Sequence, residues 1–303
     1  MRIGISVCSN YRQPDARQSA QHMVERARAA NQAGLDSLFV GDHHATPTTY
    51  LQNVPMLGRM LAEWDDRPVG ALFLLPLWNP VLLAEQVGTL ASIARGRFIL
   101  QTGLGGELTQ SQALGVDFGR RVGMFNASLQ VMRALWNGER ASEERYWGIQ
   151  DAQIRPVPPE PVEVWVGAQA PAAVRRTARA AEGWLASPSL TIADAAAAAN
   201  QYRQACAEFD RVPTATAIRR DVCLQRSDEQ ATKAVSDVVA RGYRGFSSEA
   251  LVIGSVAAAE DHFAALAEGG YTDVIMRNIS QDQKTALETI ELMGEVRDRV
   301  HAL

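Results

Sequence analysis

The chain has 303 residues and a mass of 33.0 kDa, room for one large α/β domain or two ordinary ones. With 47% hydrophobic and 21% charged residues it reads as a globular chain able to bury its own core, and 30 basic against 34 acidic residues, net −4, leave no electrostatic footprint for nucleic acid or an anionic membrane. Cys8, Cys206 and Cys223 form no C-x-x-C, no apolar run reaches the ~18 residues of a membrane span, and Met1-Arg2 leads straight into a strand pattern, so a disulfide framework, a zinc ribbon and a membrane anchor are disfavoured and a cytoplasmic setting is expected.

Strand-like runs then alternate with helical ones almost from end to end. Residues 3–7 are a short β-branched run, followed by a polar loop over 10–13. Asp15 is placed to cap a helix in which Ala20, Met23, Ala27 and Ala30 recur at helical spacing, and Gly34 stops it. Residues 37–40 form the second strand. The loop after it is long for a βα connection, and long loops on compact folds often carry function. A helix is predicted over 56–64 and an apolar strand, covered on both faces, over 69–75. Pro80 opens a helix through Leu83, Val87, Leu90 and Ile93. Residues 98–103 are the fourth strand, 120–136 a helix, and 156–161 a proline-rich segment. In the second half, strands are predicted over 162–166, 184–186, 217–224 and 273–276. Helices are predicted over 171–181, 193–209, 229–240, 257–268 and 286–300, with an irregular insertion at 242–248.

Eight such alternations either close into a (β/α)8 barrel or open into a doubly wound sheet. The strands are short and evenly spaced. No G-x-G-x-x-G follows the first of them, as a dinucleotide-binding open sheet would have. No flexible linker divides the chain. The expected fold is therefore a single-domain (β/α)8 TIM barrel with insertions over residues 1–303, and functional residues belong in the loops after the strands.

Those loops carry Cys8-Ser9-Asn10-Tyr11, Gly41-Asp42-His43-His44, Pro76-Leu77-Trp78-Asn79, Gly103-Leu104-Gly105-Gly106-Glu107, Gly167-Ala168-Gln169-Ala170 and Arg277-Asn278. Asp42-His43-His44 is the sharpest feature. An imidazole there can act as acid or base, as a hydrogen-bond donor, as a metal ligand, or as a structural group bonded to a carbonyl. A metal site needs three or so ligands. His22, His262 and His301 all fall on predicted helices and no second cluster marks another strand end, so no metal is expected. The two glycine-bearing loops bare backbone amides, and the second runs into a helix start at Pro171. Together they can cradle a phosphate.

In the order and spacing of its motifs the chain resembles the bacterial luciferase-like flavin and deazaflavin oxidoreductases. The segments that carry the resemblance are Ala33-Gly-Leu-Asp-Ser-Leu-Phe-Val-Gly-Asp-His-His44, Asn79-Pro-Val-Leu-Leu-Ala-Glu-Gln-Val-Gly-Thr-Leu90, Gly96-Arg-Phe-Ile-Leu-Gln-Thr-Gly-Leu-Gly105, and Val166-Gly-Ala through Ala178-Arg-Ala-Ala-Glu-Gly-Trp184. The resemblance implies a luciferase-like barrel that binds FMN or coenzyme F420 at its mouth. It implies hydride transfer to, or monooxygenation of, a small organic substrate. His43 holds the place of the histidine at the reacting edge of the ring, and Asp42 would orient His43 or a loop amide. The ring would lean on a bulged third strand with a cis peptide at Leu72–Phe73. The phosphate would rest on Gly103, Leu104, Gly105 and Gly106 and on Gly167, Ala168, Gln169 and Ala170, with Gly183 and Trp184 beyond. Leu104 stands where some FMN-binding relatives carry arginine. Tyr11, Trp78 and Asn278 would line the substrate pocket. Relatives pair through the helices after strands 2 and 3, which implies a homodimer. Two rivals stay open: a metal-dependent hydrolase or lyase using Asp42, His43 and His44, and a non-catalytic flavin-binding barrel.

Overall fold

The structure, a computed structural model, describes residues 1–12 and 15–302. Gln13, the end of the polar loop expected after the first strand, lies outside the described residues. Eight parallel strands form the barrel: β1 (Arg2–Val7), β2 (Leu38–Val40), β3 (Val69–Leu74), β4 (Phe98–Gly103), β5 (Glu163–Gly167), β6 (Gly183–Ala186), β7 (Ala215–Leu224) and β8 (Asp273–Asn278). Each pairs with the next in sequence. β8 returns to β1 with Arg2 opposite Asp273, which closes the sheet. Around it stand α1 (Ala16–Gln32), α2 (Asn53–Met60), α3 (Pro80–Ile93), α4 (Leu108–Ala113), α5 (Arg121–Trp136), α6 (Pro171–Ala180), α7 (Ile192–Ala207), α8 (Asp228–Ala240), α9 (Val256–Glu268) and α10 (Gln283–Ala302). None of these is long and apolar enough to cross a membrane.

Local chemistry starts the helices as the sequence indicates. The Asp15 carboxylate accepts from the amides of Arg17 and Gln18, and Asn79 accepts from Val81 and Leu82 with Pro80 in the first turn. The strands obey period two. Ile3, Ile5 and Val7 face the helices, so Gly4, Ser6 and Cys8 face inward. Phe39, Ile99, Trp165, Ala215, Ala217 and Ile275 pack together as the floor of the barrel interior. Two residues further along the strands the interior turns polar: Gln101 follows Ile99, Arg219 and Asp221 follow Ala217, and Arg277 follows Ile275. The closed apolar floor therefore supports a charged layer that opens toward the strand ends.

Some elements differ from the sequence reading. Asn10–Tyr11 is no open loop but pairs antiparallel with Thr49–Tyr50. Ala141–Glu143 and Ile149–Ala152 form a hairpin between α5 and β5, α4 follows the β4 loop, and Leu251–Gly254 adds a strand beside the end of β7. The helix expected over 56–64 begins at Asn53 and ends in a tight turn over Leu61–Glu63. β3 carries no bulge: Val69 to Leu74 pair one for one with Phe98 to Gly103. The cis peptide expected at Leu72–Phe73 is also absent, and the cis bond among the described residues is Arg155–Pro156. Both carbonyls are held in register, Leu72 O by Asn53 Nδ2 at 2.8 Å and Phe73 O by Thr102 Oγ1 at 2.8 Å.

Candidate active site

β2 delivers Gly41-Asp42-His43-His44 at the rim. A side chain at position 41 would stand 2.8 Å from the Tyr50 hydroxyl, so glycine lets Tyr50 lie across the strand end. Asp42 turns away from the barrel interior, toward α2 and the end of β3, and its carboxylate is 0% exposed. Its Oδ2 accepts from the Leu74 amide at 2.8 Å and from Trp78 Nε1 at 2.9 Å. Its Oδ1 accepts from Asn53 Nδ2 at 3.4 Å. His44 Nε2 lies 3.0 Å from the same oxygen, close enough for attraction but poorly aligned for a hydrogen bond. Asp42 thus ties the ends of β2 and β3 to α2. It orients a loop amide and touches His44, not His43.

The two imidazoles diverge, as successive residues leaving a strand must. His44 is 16% exposed and packs edge-on against the Trp78 ring, 5.4 Å between centroids. His43 is 27% exposed and lies 5.4 Å from the Tyr50 ring. Its Nδ1 is 2.8 Å from Gln110 Nε2, while Gln110 Oε1 accepts from the His44 amide at 3.0 Å. A backbone N–H can only donate, so it decides which way the Gln110 amide points. Gln110 Nε2 must then donate to His43 Nδ1, and the proton of neutral His43 sits on Nε2. That Nε2 is 4.0 Å from Glu107 Oε2 on the β4 loop. Burial pushes the Tyr50 phenol up to about 12, so it stays a neutral donor beside His43.

The glycine loops lie on neighbouring strands, with Thr102 opposite Val166. Nothing stands within 4 Å of a side chain built at Gly106, and one at Gly105 meets only Leu74. The amides of Gly105 and Gly106 meet no protein acceptor among the described residues. Ala170 leads into α6 without a capping side chain. Gly183 and Trp184 play a different part from the one expected. Both are buried; a side chain at Gly183 would strike Trp165 at 2.5 Å, and Trp184 Nε1 donates to Ala168 O at 2.8 Å. They brace the second loop from below.

Three expected residues are placed away from the mouth. Tyr11 is buried against the outer helix layer, with the Arg26 guanidinium over its ring at 5.5 Å, and Tyr50, its ribbon neighbour, takes the rim instead. Asn278 points outward, donating to Ala286 O at 3.2 Å, while Arg277 points in. Phe73 also faces outward, packed edge-on to Trp78 at 5.3 Å, so the inward side chains of β3 are Leu72 and Leu74. Sequence reading missed Gln110, Asn53, Tyr50, Glu107 and the Arg219–Asp221–Arg277 layer. Only Arg277 and Glu107 stood at a quoted strand end. Among the described residues no group of three or more His, Cys, Asp or Glu side chains is placed to hold a metal.

Comparison with known proteins agrees with this architecture. An F420-dependent glucose-6-phosphate dehydrogenase of Intrasporangium calvum is 30% identical over 178 residues, covering 54% of this chain and 53% of that protein. The chain spans about half the length of the curated relatives it matches. Two solved structures share the fold end to end. One is the oxygenating constituent of 3,6-diketocamphane monooxygenase from Pseudomonas putida, in complex with FMN (TM-score 0.82, 18% identity, 99% of both chains). The other is an F420-dependent secondary alcohol dehydrogenase (TM-score 0.80, 16% identity, 99% of this chain and 98% of that one). Residues 1–302 match the luciferase-like monooxygenase family, and the chain belongs to it.

Proposed function

We propose that the chain is an oxidoreductase that binds coenzyme F420 or FMN across the barrel mouth and uses it for hydride transfer or monooxygenation of a small organic substrate. The observation that carries this reading is His43: one imidazole of fixed tautomer at the mouth, beside two adjacent open loops that suit a phosphate. The residues present fit such a coenzyme. Gly105 and Gly106 offer room and unpaired amides, α6 offers an uncapped start, and Leu72 and Leu74 offer an apolar wall for a planar ring. Relatives matched by sequence include F420-dependent glucose-6-phosphate dehydrogenases, and by resemblance Leu104 stands where some FMN-binding relatives carry arginine. Both points favour the deazaflavin.

When bound, the coenzyme supplies the redox centre. Gly105, Gly106 and the start of α6 would hold its phosphate end. His43 Nε2–H would donate to, or exchange its proton with, an oxygen of the substrate, with Glu107 Oε2 4.0 Å from that nitrogen. Asp42 and Gln110 act through their neighbours, the first on the β3 end and the second on the imidazole. A titration followed by absorbance tests the reading: saturable binding of F420 or FMN supports it, and a wild-type protein that binds neither overturns it. Gly105→Asp should weaken coenzyme binding by more than tenfold, ~1.4 kcal/mol, because a carboxylate would enter the phosphate cradle. Unchanged titration in a folded variant would remove the phosphate from this loop.

The proposal extends to a homodimer in the cytoplasm. The described cysteines are free and buried, which suits a reducing compartment. On α3, Leu82 and Ile93 are 58% and 54% exposed, two apolar side chains on one face with Gln86 and Thr89 between them, which pairing would cover. Light scattering at micromolar concentration should give a dimer mass, and the Leu82→Asp, Ile93→Asp double variant a monomer. A monomeric wild type defeats this part.

A further inference from the structure

We propose that Arg277, with Arg219 beside it, forms an anion subsite in the barrel mouth that takes an oxyanion of the substrate, a carboxylate or a phosphate. This rests on the reading of the mouth as the active site.

The charged layer above the barrel floor is out of balance. Arg219 and Arg244 lie on one carboxylate, Asp221, which is itself 0% exposed, and Arg277 acts on it only from farther away. Asp221 is fully engaged. It accepts from Arg219 Nε at 2.7 Å and from the Tyr243 hydroxyl at 2.8 Å, with Arg244 Nε 3.9 Å away. Arg277 has no Asp or Glu oxygen within 4.0 Å among the described residues. Its one polar contact is Nη2 to Cys8 Sγ at 3.3 Å, and its buried Nε has no partner. A guanidinium carries five N–H donors in a planar fork that matches two oxygens of a carboxylate or phosphate. Most of that fork is unspent. Burial would raise the Cys8 thiol, but the adjacent Arg277 brings it below its ordinary value; even with Cys8 ionised, cations outnumber anions. Burial likewise lowers Arg219 to about 10. Against burial, Cys8 and Asp221 hold the Arg277 guanidinium above its ordinary value, so it stays charged, yet its buried Nε has no partner, and the open part of the fork can take an anion that the chain does not contain.

Position says whose anion it is. In the closed ring of eight strands β8 stands opposite β4 and β7 opposite β3. The phosphate cradle on the β4 and β5 loops therefore lies across the mouth from Arg277. Between them sits Tyr50, which feels the charge of Arg277 and packs against His43. A molecule anchored on Arg277 would reach toward His43 from the side away from the coenzyme phosphate.

Inorganic phosphate is the probe, titrated calorimetrically into wild type, R277Q and R277K, with coenzyme binding to the same proteins followed by absorbance. The expected result is phosphate binding at least tenfold weaker in R277Q, partly recovered in R277K, with coenzyme affinity unchanged. Equal phosphate affinity in wild type and R277Q overturns the proposal. So does a parallel loss of coenzyme binding, which would give the anion to the coenzyme. A lower melting temperature with phosphate binding unchanged makes Arg277 a structural brace and also overturns it. If the wild type binds neither F420 nor FMN yet binds phosphate in an Arg277-dependent way, the oxidoreductase reading fails and the anion site stands.

Discussion

Replacing His43 by alanine should lower turnover by ~10²–10⁴-fold while leaving coenzyme affinity intact. The reason lies in how the imidazole is held. Gln110 donates to Nδ1 and is itself fixed by the His44 amide, so Nε2–H is the only face His43 can offer a substrate. The coenzyme cradle lies on other loops and should not respond. His44→Ala should behave differently. That ring packs on Trp78 beside the Asp42 carboxylate, so its loss should cost ~1–3 kcal/mol of stability and act on turnover only through that. Turnover and melting temperature, measured on both variants, separate the roles. If His44→Ala abolishes activity at unchanged stability and His43→Ala does not, the assignment is reversed. Gln110→Glu offers a finer test. A carboxylate there would accept a hydrogen bond from Nδ1–H and leave Nε2 without its proton in the neutral ring, so the pH profile of turnover should change even where the fold does not.

Asp42→Asn should destabilise the protein by about 2–5 kcal/mol, because buried donors at both oxygens of the carboxylate, two at Oδ2 and one at Oδ1, cannot all be met by an amide. Leu74 N–H and Trp78 Nε1–H meet at Oδ2, and Asn53 Nδ2–H approaches Oδ1 with His44 beside it. Asparagine has one oxygen. Whichever way it turns, its NH₂ faces donors. The melting temperature should fall on the order of 5–10 °C. Turnover should fall with it, since the β3 end and the Asp42–His44 contact both relax. A variant that melts like the wild type would mean that Asp42 is not the tie the geometry indicates.

The barrel was legible because its information is local. Each strand is a short apolar run and each helix carries its own spacing and cap, as at Asp15 and Asn79. Eight such units in series without a linker leave few ways to pack, and the eight barrel strands match the predicted ones in number and order. What escaped was made of few residues whose partners are far away. Nothing about Asn10–Tyr11 announces a ribbon until Thr49–Tyr50 arrives beside it. The bulge and cis peptide expected at Leu72–Phe73 came from resemblance alone, and the ladder to β4 runs straight through that position.

By itself the sequence determined the fold, the strand end that carries Asp42, His43 and His44, and the two glycine loops, since these follow from periodicity and from where a strand must stop. The direction each side chain takes belonged to the tertiary structure. Alternation along a strand makes a one-residue error complete, so Arg277 rather than Asn278 faces the mouth. Tyr50 rather than Tyr11 reaches the rim for the same reason, through the pairing of a distant ribbon. Gln110 is an ordinary helical glutamine until β4 and α4 carry it to His43 and His44, 67 and 66 residues away in sequence. Hydrogen bonds across such separations exist only once the barrel has closed, and that closure set the tautomer of His43 and left Arg277 with no carboxylate in contact among the described residues.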